Sequence, residues 1–165
     1  MLIAVHTAGV GSWDAEIREG WLADEGARFP LVLGTDGAGT VAATGARVRR
    51  LSVGDQVYFY SFNNPKGGFY AEYVAVIADR VGHVPEFLDL EHAGAIPTIG
   101  LTALQGIDHW LELRQGESAM IHGASGGVGT LAVQFAKLRG ALVLASASGA
   151  DGVALVRRLG ADEAV

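Results

Sequence analysis

The sequence predicts an α/β protein in which a small barrel-like sheet of short strands precedes the first half of a parallel sheet. Two observations lead to this prediction. Residues 1–81 contain short apolar segments separated by glycine turns, a spacing typical of small β-barrels. From Ser118 onward the pattern is strand, helix, strand, helix, strand, which indicates a parallel sheet with right-handed crossovers.

In the first half, we expect a short helical turn at Asp14–Glu19 and four strands. The strands are predicted at Leu2–His6, Val32–Ala43, Gln56–Tyr60 and Phe69–Val76. The turn Val53-Gly54-Asp55 directly precedes the third strand, and Gly67-Gly68 precedes the fourth. We place a domain boundary after Val84, giving domains 1–84 and 85–165.

The second half begins with two predicted helices, Asp89–Ala95 and Thr98–Trp110, and Pro97 is placed to begin the second of them. The alternating segments that follow are predicted at Ser118–His122, Gly127–Arg139, Ala141–Ala147, Asp151–Leu159 and Glu163–Val165. The helix from Gly127 should bury one face, formed by Val128, Leu131, Ala132, Phe135 and Ala136.

Composition and charge exclude several classes of protein. Half of the 165 residues are hydrophobic, so a packed core is feasible. The net charge of −6 argues against nucleic acid as a partner. No segment approaches the ~20 apolar residues of a membrane span, and the first residues do not resemble a signal peptide. We therefore expect a cytoplasmic protein. Disulfides and thiolate zinc sites are impossible because the chain has no cysteine.

A glycine turn between a predicted strand and a predicted helix is the strongest functional signal. Gly123, Gly126 and Gly129 recur every three residues, as in turns that hold the pyrophosphate of a dinucleotide at a helix N-terminus. The candidate cofactor-binding residues here are Ser125, Gly126, Gly127, Val128 and Gly129. The alternative is a glycine-rich loop without a ligand, which the flanking strand and amphipathic helix disfavour.

Two serines close to the end of the next strand bear on the choice of cofactor. NAD-binding proteins usually place an acid there, about 20 residues beyond the glycines, to bind the ribose 2′-hydroxyl. This chain has Ser146 and Ser148 instead, which favours NADP(H) over NAD(H). The alternative is that both serines cap the following helix. Asp151 would repel a phosphate unless it points away, and His122 is interpreted as a strand-end residue without a chemical role.

Five short segments together resemble the medium-chain dehydrogenase/reductase superfamily, in its zinc-free quinone oxidoreductase branch. The segments are Phe29–Asp36, Val53–Val57, Gly68–Tyr73, Gly100–Ala103 and the glycine turn. The resemblance implies a GroES-like β-barrel domain, here lacking its N-terminal hairpin, followed by a Rossmann sheet. It also implies hydride transfer from NADPH to a small-molecule substrate, namely a quinone, an enone or a similar activated double bond. No catalytic residue is assigned.

The same resemblance places Thr102 near the nicotinamide; the alternative is that its hydroxyl bonds back to its own helix. Zinc is not expected, because the zinc branch needs a Cys near Gly11 and a His-Glu pair where this chain has Thr35-Asp36. Three further departures concern the quinone oxidoreductase pattern. It often has Asn at the position of Gly11, Tyr at that of Glu16 and Lys at that of Gly152.

The resemblance further implies that the chain is incomplete at both ends, because the third Rossmann strand begins only at Glu163. A full sheet of this type has six strands. We expect such a chain to bind the adenine half of the cofactor, and to form a homodimer or to need a complementing chain. The alternative function is a non-catalytic nucleotide-binding fragment that needs a partner chain for activity.

Overall fold

A computed structural model describes residues 1–21, 30–62, 64 and 67–165 of the chain. It divides into two compact units, Met1–Thr98 and Ile99–Val165, which are described separately. The domain boundary expected after Val84 stays a prediction. Phe29 of the family-like segment lies outside the described residues, as do Asn63, Pro65 and Lys66.

The first unit is built on a five-stranded antiparallel sheet with the strand order β4-β1-β2-β3-β5. The strands are β1 (Leu2–Ala8), β2 (Asp36–Ala43), β3 (Gln56–Tyr60), β4 (Tyr73–Ala75) and β5 (Val81–His83). Two short helices, α1 (Ser12–Arg18) and α2 (Leu90–Ala93), and a 3₁₀ turn at Ala78–Arg80 complete the unit. Its core consists of apolar side chains from the sheet and its loops: Ile3, Val41, Leu51, Val57, Phe59, Phe69, Val74, Val76 and Val81.

Two strands are shorter than predicted because their first residues pair with each other in a loop. Gly34 has a φ of +96°, a left-handed conformation that interrupts an extended strand. The N–H of Phe69 donates to the carbonyl of Gly34, and that of Tyr70 donates to the carbonyl of Leu33. Consequently β2 begins at Asp36 and β4 at Tyr73.

The second unit contains a parallel sheet with the order β6-β7-β8. Its elements are α3 (Pro97–Gln105, with its first two residues in the first unit), a π-helical turn (Gly106–Trp110), β6 (Ser118–Ile121), α4 (Gly127–Leu138), β7 (Leu142–Ala145), α5 (Gly149–Arg158) and β8 (Glu163–Ala164). This alternation confirms the predicted fold class. Within the described ranges, no helix has the length and apolar character needed to cross a membrane.

The buried face of α4 differs by one position from the predicted face. Its buried residues are Gly129, Ala132, Val133 and Ala136, while Leu131 and Phe135 pack partly buried against the same core. Val128 is 37% exposed, so its place on the predicted apolar face was wrong. Gly129 takes the buried position because the helix approaches the preceding turn closely at that point.

Candidate cofactor-binding site

The glycine turn is bonded to the neighbouring strand as well as to itself. Gly123 has a φ of +63°, which favours glycine. The N–H of Gly126 donates to the carbonyl of Gly123 over 2.9 Å and closes the turn. The N–H of Ala124 donates to the carbonyl of Ser146 over 2.8 Å, and the N–H of Ser146 donates to the carbonyl of Ile121 over 3.0 Å. These bonds tie the turn to the end of β7.

Gly129 allows the first turn of α4 to lie against this loop. A Cβ atom at this position would stand 2.6 Å from Ala124 Cα and 2.6 Å from the carbonyl oxygen of Gly123. Both are backbone atoms, so no side-chain rotation could relieve the overlap. The residue fits the role that the last glycine of a dinucleotide turn has, which is close packing of helix and strand.

The N-terminus of α4 is open to an anion. Gly126 is the N-cap residue, and no side chain caps the helix there. Gly126 and Gly127 are exposed, and the half-buried Ser125 precedes them. The first N–H groups of a helix have no intrahelical carbonyl partner, and the helix dipole adds about half a positive charge. The arrangement therefore fits a pyrophosphate.

Both predicted serines lie just beyond the carboxyl end of β7. The Oγ atom of Ser146 is 3.2 Å from Nδ1 of His122. Ser148 is the N-cap residue of α5, but its side chain makes no capping hydrogen bond. The capping alternative therefore does not describe the hydroxyl of Ser148, and the hydroxyl of Ser146 bonds to the residue after β6 instead.

Thr102 lies on the exposed part of α3. Ile99, one helical turn earlier, has its Cγ2 atom 3.3 Å from the position that a Cβ of Gly127 would take. Residues three apart share a helix face, so Thr102 belongs to the face of α3 that borders the start of α4. All eight predicted cofactor-binding residues lie in the second unit.

The first unit holds two buried carboxylates that sequence reasoning did not assign to any role. Asp14 is 4% exposed and accepts hydrogen bonds from the N–H groups of Gly11 and Gly34, over 2.9 Å and 3.0 Å. Asp36 is 2% exposed and accepts a 2.7 Å hydrogen bond from the N–H of Thr98. An acid among the glycines and alanines of β2 was the available signal for Asp36.

The side-chain space next to Gly11 is filled by an indole ring. A Cβ atom at Gly11 would lie 2.2 Å from two ring atoms of Trp13. The Nε1–H of Trp13 donates to Oγ1 of Thr35 over 3.0 Å, and that oxygen is 3.4 Å from Oγ1 of Thr98. The position at which the resemblance suggests an asparagine therefore borders a bulky aromatic side chain.

Tyr70 carries a hydroxyl that keeps its proton over the physiological range. Its O–H donates to the carbonyl of Gly9 over 3.3 Å. Burial, followed by the hydrogen bond and the negative charge of Asp14, raises the pKa of Tyr70 to about 12. This hydroxyl is therefore a hydrogen-bond donor at neutral pH.

Asp36 should make the first unit less stable as pH rises. Burial raises its pKa above the usual 3.8 and outweighs the hydrogen bonds from Thr98, which lower it. A carboxyl group with a raised folded-state pKa stabilises the protein below its unfolded-state pKa, and that stabilisation is lost as pH rises through the folded-state pKa. We expect Asp36→Asn to remove this decline, so that the free energy of unfolding of the variant no longer falls between acidic and neutral pH for this reason.

Urea unfolding at several pH values from about 4 to 8 measures this difference. The exposed Asp79→Asn is the matched control and should keep the wild-type pH profile. An unchanged profile for Asp36→Asn would contradict the assignment of the raised pKa to this carboxyl group.

Among the described ranges of the chain, no group of three or more His, Asp or Glu side chains is arranged to hold a metal ion. The expectation of a zinc-independent protein stays a prediction.

The comparisons with known proteins agree on the family. Residues 1–86 match the model of the alcohol dehydrogenase GroES-like domain. The chain is 36% identical over 163 residues to the quinone oxidoreductase of Mus musculus, an alignment that covers 99% of this chain and 48% of that protein.

Two solved structures show that the similarity also holds for the three-dimensional fold. The quinone oxidoreductase of Coxiella burnetii superposes with a TM-score of 0.90 at 36% identity, covering 100% of this chain and 52% of that one. The Escherichia coli quinone oxidoreductase complexed with NADPH superposes with a TM-score of 0.86 at 28% identity, covering 99% and 49%. This chain thus spans about half the length of the relatives it matches.

Proposed function

The chain belongs to the medium-chain dehydrogenase/reductase superfamily, as a quinone oxidoreductase-like member with an alcohol dehydrogenase GroES-like domain. On this basis we propose that it forms part of an NADPH-dependent oxidoreductase. The proposed reaction transfers hydride to a small-molecule substrate, a quinone, an enone or a similar activated double bond. The relatives named quinone oxidoreductase support this substrate class.

The observation that carries the proposal is the geometry of the glycine turn. Gly129 packs against the backbone of Gly123 and Ala124, while Gly126 and Gly127 stay exposed in front of the helix N-terminus. A structural loop without a ligand would need the close packing but would not need an exposed, uncapped helix start. Both features together fit a bound pyrophosphate.

We assign the chain's own residues to binding and orientation. The first-turn N–H groups of α4 and the hydroxyl of Ser125 would hold the pyrophosphate, and Ser146 and Ser148 would lie near the adenosine ribose. Thr102 would border the nicotinamide. When bound, the cofactor supplies the hydride, and the reduction of an enone also takes up one proton. The protein supplies orientation and exclusion of water.

NADPH is proposed over NADH because Ser146 and Ser148 follow β7 at the place where NAD-binding proteins usually have a carboxylate. An acid at Ser146 or Ser148 would bind a free ribose 2′-hydroxyl and repel a 2′-phosphate. The absence of Lys at Gly152 removes one cation that could bind this phosphate. Asp151, in the first turn of α5, adds a negative charge nearby. The preference therefore depends on other groups at this edge of the sheet.

Titration of the purified protein with NADPH and with NADH tests the proposal. We expect NADPH to bind more tightly, to change the nicotinamide fluorescence and to stabilise the fold by about 3 kcal/mol at a hundredfold excess over its dissociation constant. Fluorescence and thermal unfolding should give the same dissociation constant. Absence of binding by either nucleotide would overturn the proposal.

A second candidate, a nucleotide-binding protein that needs a partner chain for activity, is favoured by the indole beside Gly11. This ring fills space in which the resemblance implies a polar side chain. The two candidates separate when enones and quinones are added to the NADPH complex. Oxidation of NADPH supports the enzyme. Binding without turnover by the chain, followed by turnover when a partner chain is supplied, supports the second candidate.

A homodimer remains part of the proposal, and light scattering measures the oligomeric state.

A further inference from the structure

His122 is bonded to the serine that marks the ribose end of the proposed site. Its Nδ1 atom lies 3.2 Å from the Oγ atom of Ser146. Ile121 and Ala145 pair in register on the parallel strands β6 and β7, so His122 and Ser146 follow directly at the same edge of the sheet. The imidazole is exposed, and one ring nitrogen remains beyond the bond to Ser146.

This position is where a dinucleotide-binding fold reads the ribose. The residue that contacts the 2′-position stands at the end of the second strand, about 20 residues beyond the glycines. In this chain Ser146 occupies that place, 20 residues after Gly126. A side chain bonded to Ser146 is therefore within reach of whatever the 2′-position carries.

Among the basic side chains of the second unit, His122 is the one that stands at this edge of the sheet. The structure describes every residue of the second unit, and its remaining basic residues lie elsewhere. Arg114 precedes β6, and four cations lie in or just after the last turns of α4 and α5, at the opposite edge of the sheet: Lys137, Arg139, Arg157 and Arg158. His109 is in the π-helical turn.

Three of those cations already have partners. Lys137 pairs with Asp162, Arg139 pairs with Asp108, and Arg157 donates to the carbonyl of Ala164. Two of them pair with carboxylates and the third binds a backbone carbonyl, and none of these partners belongs to the glycine turn.

We propose that His122 and Ser146 together form the subsite for the 2′-phosphate of NADP(H), with the imidazole as its cationic half. This inference rests on the proposed function and deepens it. Ser146 donates its hydroxyl proton to a phosphate oxygen, and the protonated imidazole supplies a second, charge-assisted donor. With NAD(H) the same imidazole meets only a hydroxyl, so its charge contributes little.

Within the second unit, few charged side chains stand on the elements next to His122. The turn up to Gly126 and strand β7 carry no titratable side chain. Asp151 stands in the first turn of α5, and Glu163 on β8 pairs in register with Leu144. Both acids carry a negative charge, which opposes a phosphate. Selection of NADP(H) at this subsite should therefore weaken as pH rises and the imidazole loses its proton.

Calorimetric titration with NADP⁺ and NAD⁺ at about pH 6 and pH 8 tests the subsite, in the wild type and in His122→Gln. For the wild type, we expect NADP⁺ affinity to fall about tenfold over this range and NAD⁺ affinity to change little. His122→Gln should lose about tenfold in NADP⁺ affinity at the lower pH and keep its NAD⁺ affinity. The 2′-phosphate itself titrates near pH 6, but it does so with both proteins, so their difference isolates the imidazole.

His109→Gln, an exposed histidine of the same unit, is the matched control and should behave as wild type. Nuclear magnetic resonance gives a second readout, because NADP⁺ but not NAD⁺ should change the chemical shifts of the His122 ring. Wild-type NADP⁺ binding and pH dependence in His122→Gln would overturn the subsite and leave the proposed function standing. Failure of the wild type to bind either nucleotide would overturn both.

Discussion

Gly129→Ala is expected to destabilise the second unit by about 1–3 kcal/mol and to weaken NADPH binding at least tenfold. The added methyl group would meet the backbone of Gly123 and Ala124 at 2.6 Å, so the helix start or the turn has to move. Either movement changes the direction of the N–H groups that the proposed pyrophosphate site uses. Denaturant unfolding and fluorescence titration measure the two losses.

Gly106→Ala is the matched control for this substitution. Gly106 also lies in a helical segment of the second unit, and a Cβ there would have no atom within 4 Å. Alanine should leave NADPH binding unchanged and make the fold slightly more stable, by up to about 1 kcal/mol. Equal unfolding and equal binding of Gly129→Ala and wild type would show that the close packing has no part in the site.

Asp14→Ala should destabilise the first unit by roughly 3 kcal/mol, since each hydrogen bond to a charged group contributes about 1.5–3 kcal/mol. The carboxylate joins α1 to the loop before β2 through the N–H groups of Gly11 and Gly34. Alanine would leave both donors without their acceptor, and Gly34 is buried. Urea unfolding followed by circular dichroism gives the free energy change.

Asp14→Asn keeps part of the bridge, because its single carbonyl oxygen can replace one acceptor but not both. We expect it to fall between Asp14→Ala and wild type. Asp79→Ala removes an exposed carboxylate of the same unit and should change the free energy of unfolding by less than about 0.5 kcal/mol. A wild-type unfolding curve for Asp14→Ala would refute a bridging role for this carboxylate.

The elements that sequence reasoning placed best have clear local boundaries. Strand β3 was predicted at the residues it occupies, because Gly54 precedes it and Val57 and Phe59 alternate with more exposed neighbours. Helix α4 was predicted to within one residue, since Gly127 follows the turn and Gly140, with a φ of +76°, ends the segment. In each case a glycine that marks one boundary of the element lies within two residues of it.

The elements that were missed depend on partners distant in sequence. Strand β5 (Val81–His83) is too short to show alternation, and it exists because β3 offers an edge on which Val57 pairs with His83. The helix predicted through Trp110 instead becomes a π-helical turn, in which the N–H of Leu111 bonds to the carbonyl of Gly106. Gly106 stands where the α-helix ends, and glycine has a low α-helix propensity.

The same distinction holds for the site. The glycine turn and the serines beyond β7 could be placed from spacing, whereas Thr102 was singled out by the family resemblance. The bond between His122 and Ser146 could not, because it depends on the register of two strands whose residues are 24 positions apart. The two hydrogen bonds of Asp14 were hidden for the same reason, since Gly34 lies 20 residues further along the chain.

The bonds between the glycine turn and β7 also bear on conformational entropy. Through the Ala124–Ser146 and Ser146–Ile121 bonds, the backbone around the turn is held in one arrangement by the sheet itself. A loop that is ordered only when a ligand arrives loses its freedom at that moment, and binding is weakened accordingly. Here the turn loses its conformational entropy when the protein folds, so its N–H groups already point towards the phosphate site before a ligand binds. The affinity of the proposed pyrophosphate site thus depends on the pairing of β6 with β7 more than on the motion of a loop.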